Sequence, residues 1–117
     1  MTFAELLFWA RVVTGGALVL VGLAFMLGGA IGLLRFPDFY TRLHAMGAAD
    51  IVGAVFVLAG LIVSSGDGAL TLRLLALAGL LIAAAPSIMH LVANTAHAGG
   101  LAPLAGPYAA PRPERKP

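Results

Sequence analysis

The sequence predicts an all-α membrane protein with three transmembrane helices, a short interfacial turn between the first two, and a disordered C-terminal tail. Hydrophobic residues make up 61% of the 117 residues, and only 10% are charged. Soluble domains contain roughly 45–50% apolar residues, and a chain this short cannot bury so much apolar surface in its own core. Three long apolar segments are followed by a proline-rich end. We therefore expect one membrane domain over residues 1–98 and a tail over residues 99–117.

The first apolar segment covers about residues 6–34. Residues 12–34 carry no charge, and at 1.5 Å per residue they give roughly 34 Å of helix, enough to cross a bilayer with some tilt. A cleaved signal peptide is the alternative. Glu5 near the start and the length of the apolar run argue against it. Arg11 can extend its aliphatic stem toward the nearer membrane surface.

Glycine recurs every seven residues along the first segment, at Gly15, Gly22 and Gly29. Glycine lowers helix propensity, so a regular glycine stripe predicts a face where another backbone approaches closely. The alternative is that glycine is simply common in this chain, which contains 15 of them. We favour a packing face.

The second segment covers about residues 45–65, with Asp50 inside its N-terminal end. An aspartate at this depth should face protein or water, because lipid offers it no partner. In that position it is a candidate for handling protons or cations. The alternative is an interfacial carboxylate that complements the positive end of the helix dipole. Residues 64–68 are rich in serine, glycine and aspartate, which predicts a turn before the third segment.

The third segment covers about residues 70–93. Pro86 cannot donate a backbone hydrogen bond, so it should kink this helix and free the carbonyl of Ile82 near His90. Small residues dominate the first half of one stripe on this helix, and a proline and two histidines follow. We expect Gly79 and Ala83 on this stripe to contact another helix. The full stripe comprises Ala76, Gly79, Ala83, Pro86, His90 and His97.

The distribution of basic residues predicts the orientation. Three spans place the N-terminus and residues 64–68 on one side, and the connection between the first two spans and the tail on the other. The second side has five basic residues against two, which favours a cytoplasmic connection and C-terminus and an external N-terminus. The five are Arg35, Arg42, Arg112, Arg115 and Lys116, and the two are Arg11 and Arg73.

Several functional classes are unfavoured. The chain has no cysteine, which excludes disulfides and thiolate metal sites. His90 and His97 lack a third nearby ligand, so we expect no metal site. Basic residues are too few for a nucleic-acid surface, and no pattern of catalytic side chains or phosphate-binding loop is present. We expect neither an enzyme nor a cofactor.

The connection between the first two spans, which we call the hinge, holds residues 35–45, with the sequence Arg-Phe-Pro-Asp-Phe-Tyr-Thr-Arg-Leu-His-Ala. Pro37 suits the first turn of a helix, and Asp38 and Arg42 are spaced for an i, i+4 ion pair. From these patterns alone the hinge is a basic, partly amphipathic cytoplasmic connector. Its structural residues are expected to be Arg35, Pro37, Asp38, Tyr40, Arg42 and His44.

Residues 32–45 resemble the G-type subunit of the multisubunit monovalent cation/proton antiporters of the Mrp type, also called Mnh or Pha. That family has three spans and an R-F-P-D-x-Y-x-R-L-H-A signature between the first two. Asp50, and Pro86 followed by His90, also fit the family pattern. The chain departs from it at residues 94–97, where Asn-Thr-Ala-His stands in place of the frequent basic residue and Ala-Ala-Tyr.

The resemblance implies a small accessory component of a secondary transporter in the bacterial cytoplasmic membrane. That transporter would exchange cytoplasmic Na+ or another monovalent cation for external protons. The other subunits of that transporter would include large ones related to respiratory complex I and small ones of the E and F types. Such neighbours would meet the small-residue faces of the first and third helices of this chain.

Two roles within such a complex are open. Three helices cannot enclose an ion path alone, so we expect a mainly structural and assembly role. In this role the polar residues of the hinge hold the connection between the first two spans in one conformation. In the alternative role, Asp50, Pro86 and His90 border a path for cations or protons that neighbouring subunits complete. An interpretation from another class is a free-standing homo-oligomeric transporter or membrane-stress protein.

Overall fold

The computed structural model describes residues 1–105 and 108–109, excluding the side chains of residues 48, 50, 105, 108 and 109. Three helical spans are long and apolar enough to cross a membrane, Phe3–Arg35, Phe39–Ser65 and Gly68–Ala98. The predicted fold class is confirmed. Each span runs beyond its apolar segment at one end or both, because capping and interfacial residues join the helices.

The first span is a single helix, α1 (Phe3–Arg35). It begins with a capping box, in which the Glu5 N–H donates to Thr2 Oγ1 at 3.3 Å and the Thr2 N–H donates to Glu5 Oε2 at 2.6 Å. It ends where Phe36 adopts an extended conformation. Proline at the next position accounts for this end, because the residue before a proline is disfavoured in the helical region.

The second span consists of α2 (Phe39–Gly47), a π-helical segment (Ala48–Gly53) and α3 (Ala54–Ser65). It begins at Phe39, several residues before the expected start near residue 45, so most of the hinge is helical. The backbone of Asp50 lies in the π-helical segment, and its side chain lies outside the described part of the chain. Gly66 closes α3 with a φ of +62°, a left-handed cap that favours glycine.

The α1 glycines lie in the contact between the first two spans. A Cβ on Gly22 would stand 2.6 Å from the carbonyl oxygen of Gly53, and one on Gly15 would stand 2.6 Å from that of Gly60. A Cβ on Gly29 would likewise stand 2.7 Å from the Ala45 carbonyl oxygen. The two backbones therefore touch along most of their length. The second span of the same chain occupies this face, which corrects the expectation that another subunit would meet it.

The third span, α4 (Gly68–Ala98), packs much more loosely. Asp67 caps it by accepting from the N–H groups of Ala69 and Leu70, but Ala85 is its one buried residue. Gly79 and Ala83 are both exposed, and no atom outside the helix backbone lies within 4 Å of a Cβ built on Gly79. At Gly79 the small-residue stripe of α4 therefore contacts no other helix in the described part of the chain.

After α4 the chain turns at Gly100, whose φ is +89°. Two short strands, β1 (Leu104–Ala105) and β2 (Tyr108–Ala109), then pair antiparallel. The sequence predicted a disordered tail from residue 99. Residues 106–107 and 110–117 of that tail lie outside the described residues.

Replacing Gly22 by alanine tests the helix contact. The added methyl group would meet the Gly53 carbonyl oxygen and the Val57 side chain, and such overpacking costs about 1–3 kcal/mol. We expect a lower melting temperature for the purified full chain in mild detergent, followed by circular dichroism. Gly16→Ala is the matched control, because Gly16 lies on the same helix with nothing within 4 Å of its Cβ position. Equal melting temperatures for the two variants would contradict this description of the contact.

Candidate functional site

The turn within the hinge is very short, because residues 36–38 alone separate α1 from α2. The Phe36 N–H donates to the Gly32 carbonyl at 2.9 Å and so belongs to the end of α1. Asp38 precedes α2 as its cap. Its Oδ2 accepts from the Thr41 N–H at 3.4 Å, while Thr41 Oγ1 donates to the Asp38 carbonyl at 2.8 Å. Pro37 therefore lies before the cap, two positions ahead of Phe39, and not in the first helical turn as predicted.

Asp38 is 8% exposed, the one buried charged residue among the described side chains. A buried carboxylate is costly unless it is hydrogen-bonded, and the first turn of α2 supplies a backbone donor at the positive end of the helix dipole. This local arrangement explains why an acid stands at this position.

Arg42 does not form the ion pair with Asp38 that their spacing predicts. Its Nε instead donates to the carbonyl oxygen of Phe36 at 2.7 Å, so the cation lies beside the C-terminal end of α1, where unpaired carbonyls carry negative charge. The carboxylate of Asp38 is instead used by the backbone of α2, where it accepts from the Thr41 N–H. Arg35 lies in the last turn of α1 and is exposed.

Tyr40 joins the hinge to the far end of the third span. Its hydroxyl donates to the Leu101 carbonyl at 2.9 Å, and its half-buried ring lies edge-on to that of Phe39, with centroids 5.7 Å apart. This hydrogen bond fixes the chain that follows α4 against the start of α2.

A groove of about 1000 Å³ opens between the start of the second span and the end of the third. Tyr40 and His44 line one wall, and Pro86 and His90 line the other. The structure thus brings together four of the predicted residues and leaves Arg35, Pro37, Asp38 and Arg42 outside. The further lining residues are Leu43, Gly47, Ile51, Val52, Ser87, Met89 and Ala93.

Sequence reasoning missed this grouping, since it assigned His44 to the hinge and His90 to the third span. The sequence does place the groove-lining residues of each helix on a single helix face. Tyr40, His44, Gly47 and Ile51 follow the i, i+4, i+7, i+11 spacing of one helix face, and Pro86, His90 and Ala93 follow i, i+4, i+7. What the sequence did not reveal was that these two faces meet.

The chemistry available in the groove is hydrogen bonding. Both imidazoles are exposed, and the two ring nitrogens of each can donate or accept a hydrogen bond. Pro86 leaves the carbonyl of Ile82 without its usual helical donor, while Ser87 Oγ donates to the Ala83 carbonyl at 3.2 Å. Among the described residues, no three histidine, aspartate or glutamate side chains are placed to hold a metal ion.

The chain matches a known protein family over most of its length. A sequence profile of the Na+/H+ antiporter subunit family PhaG_MnhG_YufB matches residues 18–97. The chain is also 30% identical to the G1 subunit of a Na+/H+ antiporter from Staphylococcus saprophyticus over 82 residues, which cover 68% of this chain and 70% of the relative.

Two solved structures share the fold. A chain of the Mrp complex from Dietzia sp. DQ12-45-1b is 37% identical, with a TM-score of 0.78 and coverage of 92% of this chain and 95% of that one. A chain of the membrane-bound sulfane sulfur reductase, an archaeal respiratory membrane complex, is 28% identical, with a TM-score of 0.73 and coverage of 82% and 89%.

Substitutions at Asp38 distinguish two effects of this residue, its capping of α2 and its negative charge. Asp38→Ala removes the cap of α2 and should destabilise the purified chain by about 1 kcal/mol. Asp38→Asn should have little effect, because asparagine caps a helix about as well as aspartate. Thermal unfolding in mild detergent measures both. If asparagine is as damaging as alanine, the negative charge of Asp38 has a role beyond the cap.

Proposed function

The chain belongs to the family of G-type Na+/H+ antiporter subunits, and we propose that its role in such a complex is mainly structural. It is a multi-pass membrane protein and a small component of an antiporter. The complex exchanges cytoplasmic Na+, or another monovalent cation, for external protons across the bacterial cytoplasmic membrane. The hinge and the C-terminus lie in the cytoplasm, in keeping with the basic residues on that side.

One observation carries this proposal: polar side chains of the hinge form hydrogen bonds with backbone groups of this same chain. Asp38 caps α2, Arg42 holds the end of α1, and Tyr40 holds the segment after α4. Groups used in this way fix a loop in one conformation. They supply a rigid cytoplasmic edge against which other subunits can pack.

The two structural relatives agree with a packing role. One belongs to a Mrp complex and the other to a sulfane sulfur reductase. A fold shared by two different membrane complexes is more readily explained by architecture than by the handling of one cation.

Partners follow from the surfaces that this chain leaves open. The α4 stripe with Gly79 and Ala83 is exposed, and so is the face of α1 opposite its glycines, which carries Leu20, Leu27 and Leu34. We assign these faces to the large subunits related to respiratory complex I, to small subunits of the E and F types, and to lipid. Small residues allow close helix approach within a membrane.

A second candidate role rests on the groove. His44 and His90 line it from opposite walls, and the π-helical segment that contains Asp50 runs along it. Single π-helical turns within helices occur frequently at functional sites. In this role Asp50, Pro86 and His90 border a hydrated path for cations or protons that neighbouring subunits complete.

The structural role predicts that hinge cations are needed for assembly. The double change Arg35→Ala/Arg42→Ala removes the bond to the Phe36 carbonyl, and a hydrogen bond to a charged group contributes about 1.5–3 kcal/mol. The yield of intact complex on a native gel after mild extraction should fall by about tenfold. Arg73→Ala is the control, with one charge removed on the opposite side of the membrane.

Two outcomes of the same gel would overturn the role. Full assembly of the double variant removes the main support for a locking hinge. Migration of the unmodified chain as a small homo-oligomer would instead indicate a free-standing transporter or membrane-stress protein.

Cation-driven proton flux in vesicles distinguishes the two roles. If the role is structural, assembled complexes with Asp50→Asn or His90→Ala should retain flux close to that of the unmodified complex. His97→Ala is the control for His90, because His97 lies one heptad further along the same stripe and does not line the groove. Loss of flux in assembled Asp50→Asn and His90→Ala complexes, with His97→Ala unaffected, would establish the path instead.

A further inference from the structure

The end of the molecule opposite the hinge has a polar site of its own, built around Arg11. The guanidinium of Arg11 lies over the turn between α3 and α4, with Nη1 3.4 Å from the Cβ position of Gly66. Two adjoining grooves share Arg11 and Gly66. One of about 410 Å³ is bordered by Asp67 and Thr71, and the other of about 320 Å³ by Phe8 and Ser64.

Arg11 lies at the depth of lipid headgroups. The helix from Arg11 to Arg35 rises by 24 residue steps, or roughly 36 Å. This is slightly more than the hydrocarbon thickness of a bilayer, about 30 Å. With Arg35 at one membrane surface, Arg11 is therefore at the other. Trp9, one of the aromatic residues typical of membrane interfaces, is 55% exposed nearby in sequence.

Arg11 has no charged partner in the described part of the chain. It is exposed, and no described carboxylate lies within 4.0 Å of its guanidinium nitrogens. A guanidinium next to hydrocarbon requires an anion or water. Asp67 borders the same groove without pairing with it.

Asp67 retains capacity for a second partner. Its two carboxylate oxygens accept from the N–H groups of Ala69 at 3.3 Å and Leu70 at 3.2 Å, but an ionised carboxylate offers about four acceptor positions. The groove thus presents one cation and one anion that are not paired with each other. Ile62 and Val63 supply its apolar wall on the side toward the membrane interior.

We propose that this groove binds the headgroup of a zwitterionic aminophospholipid from the leaflet opposite the hinge. The phosphate binds Arg11, the ammonium group binds Asp67, and the acyl chains pass beside Ile62 and Val63. A carboxylate from a neighbouring protein would satisfy Arg11 but would face Asp67 with a like charge. An anionic lipid without an amine meets the same repulsion, so the zwitterion complements both side chains.

Lipid retention by the full chain tests the site. The purified chain is exchanged into vesicles of equal parts phosphatidylethanolamine and phosphatidylglycerol, re-extracted in mild detergent, and examined by native mass spectrometry. The unmodified chain should retain phosphatidylethanolamine preferentially. Arg11→Gln should reduce the retained lipid by about tenfold, as expected for the loss of a hydrogen bond to a charged group.

Arg73→Gln is the matched control, because it removes the same charge from the same side of the membrane and Arg73 does not border the groove. It should leave retention unchanged. Asp67→Asn keeps the cap of α4 but removes the partner of the amine, so phosphatidylethanolamine should lose its advantage over phosphatidylglycerol. Circular dichroism establishes that each variant is folded.

Three results would overturn the proposal. These are equal losses for Arg11→Gln and Arg73→Gln, an unchanged lipid preference in folded Asp67→Asn, and a preference of the unmodified chain for phosphatidylglycerol. Excess inorganic phosphate provides the last arm of the experiment. Displacement of the retained lipid by it would assign the site to free phosphate, whereas retention supports the phospholipid.

Discussion

The close approach of two helix backbones is the constraint on which the rest of this structure depends. At Gly15, Gly22 and Gly29 the first span lies so near the second that no side-chain carbon fits between them. In lipid there is little hydrophobic force between helices, so association depends on such close packing. It makes the first two spans a rigid antiparallel pair, and three residues suffice to connect them because the helices are nearly in contact.

The third span is attached to that rigid pair more loosely. A hydrogen bond of 3.0 Å between the hydroxyls of Ser65 and Thr71 joins its start to the second span. Further along, Ala85 is its one buried residue, and the hydrogen bond from Tyr40 to Leu101 holds the chain beyond its end. Loose packing between these two points leaves room for the groove with His44 and His90. A rigid pair with a loosely attached helix suits a protein whose remaining contacts come from other chains.

Much of this arrangement could be predicted from the sequence. Charge-free runs located the spans, and the seven-residue glycine spacing picked out the face of α1 that is packed. Where a residue's partner lies on another element, the prediction failed. Spacing assigned Arg42 to Asp38, but the carbonyl of Phe36 is the group it binds, because the end of α1 comes within reach only after the chain turns. His44 and His90 were likewise separated, since periodicity describes one helix and not which faces meet.

The π-helical segment at Ala48–Gly53 has a consequence for the evolution of this chain. Four positions that face α1 are spaced four residues apart, at Ala45, Ala49, Gly53 and Val57. In a regular α-helix each such step would rotate the contact by about 40°, and the series would wind away from α1. The wider turn cancels that drift. Loss of a single residue between Ala49 and Gly53 would give the spacing of a regular α-helix, four, three and four residues, which advances about 20° beyond three full turns. The hinge and the glycine contact would stay in line, so homologous chains can lack one residue in this stretch and keep the same helix pairing.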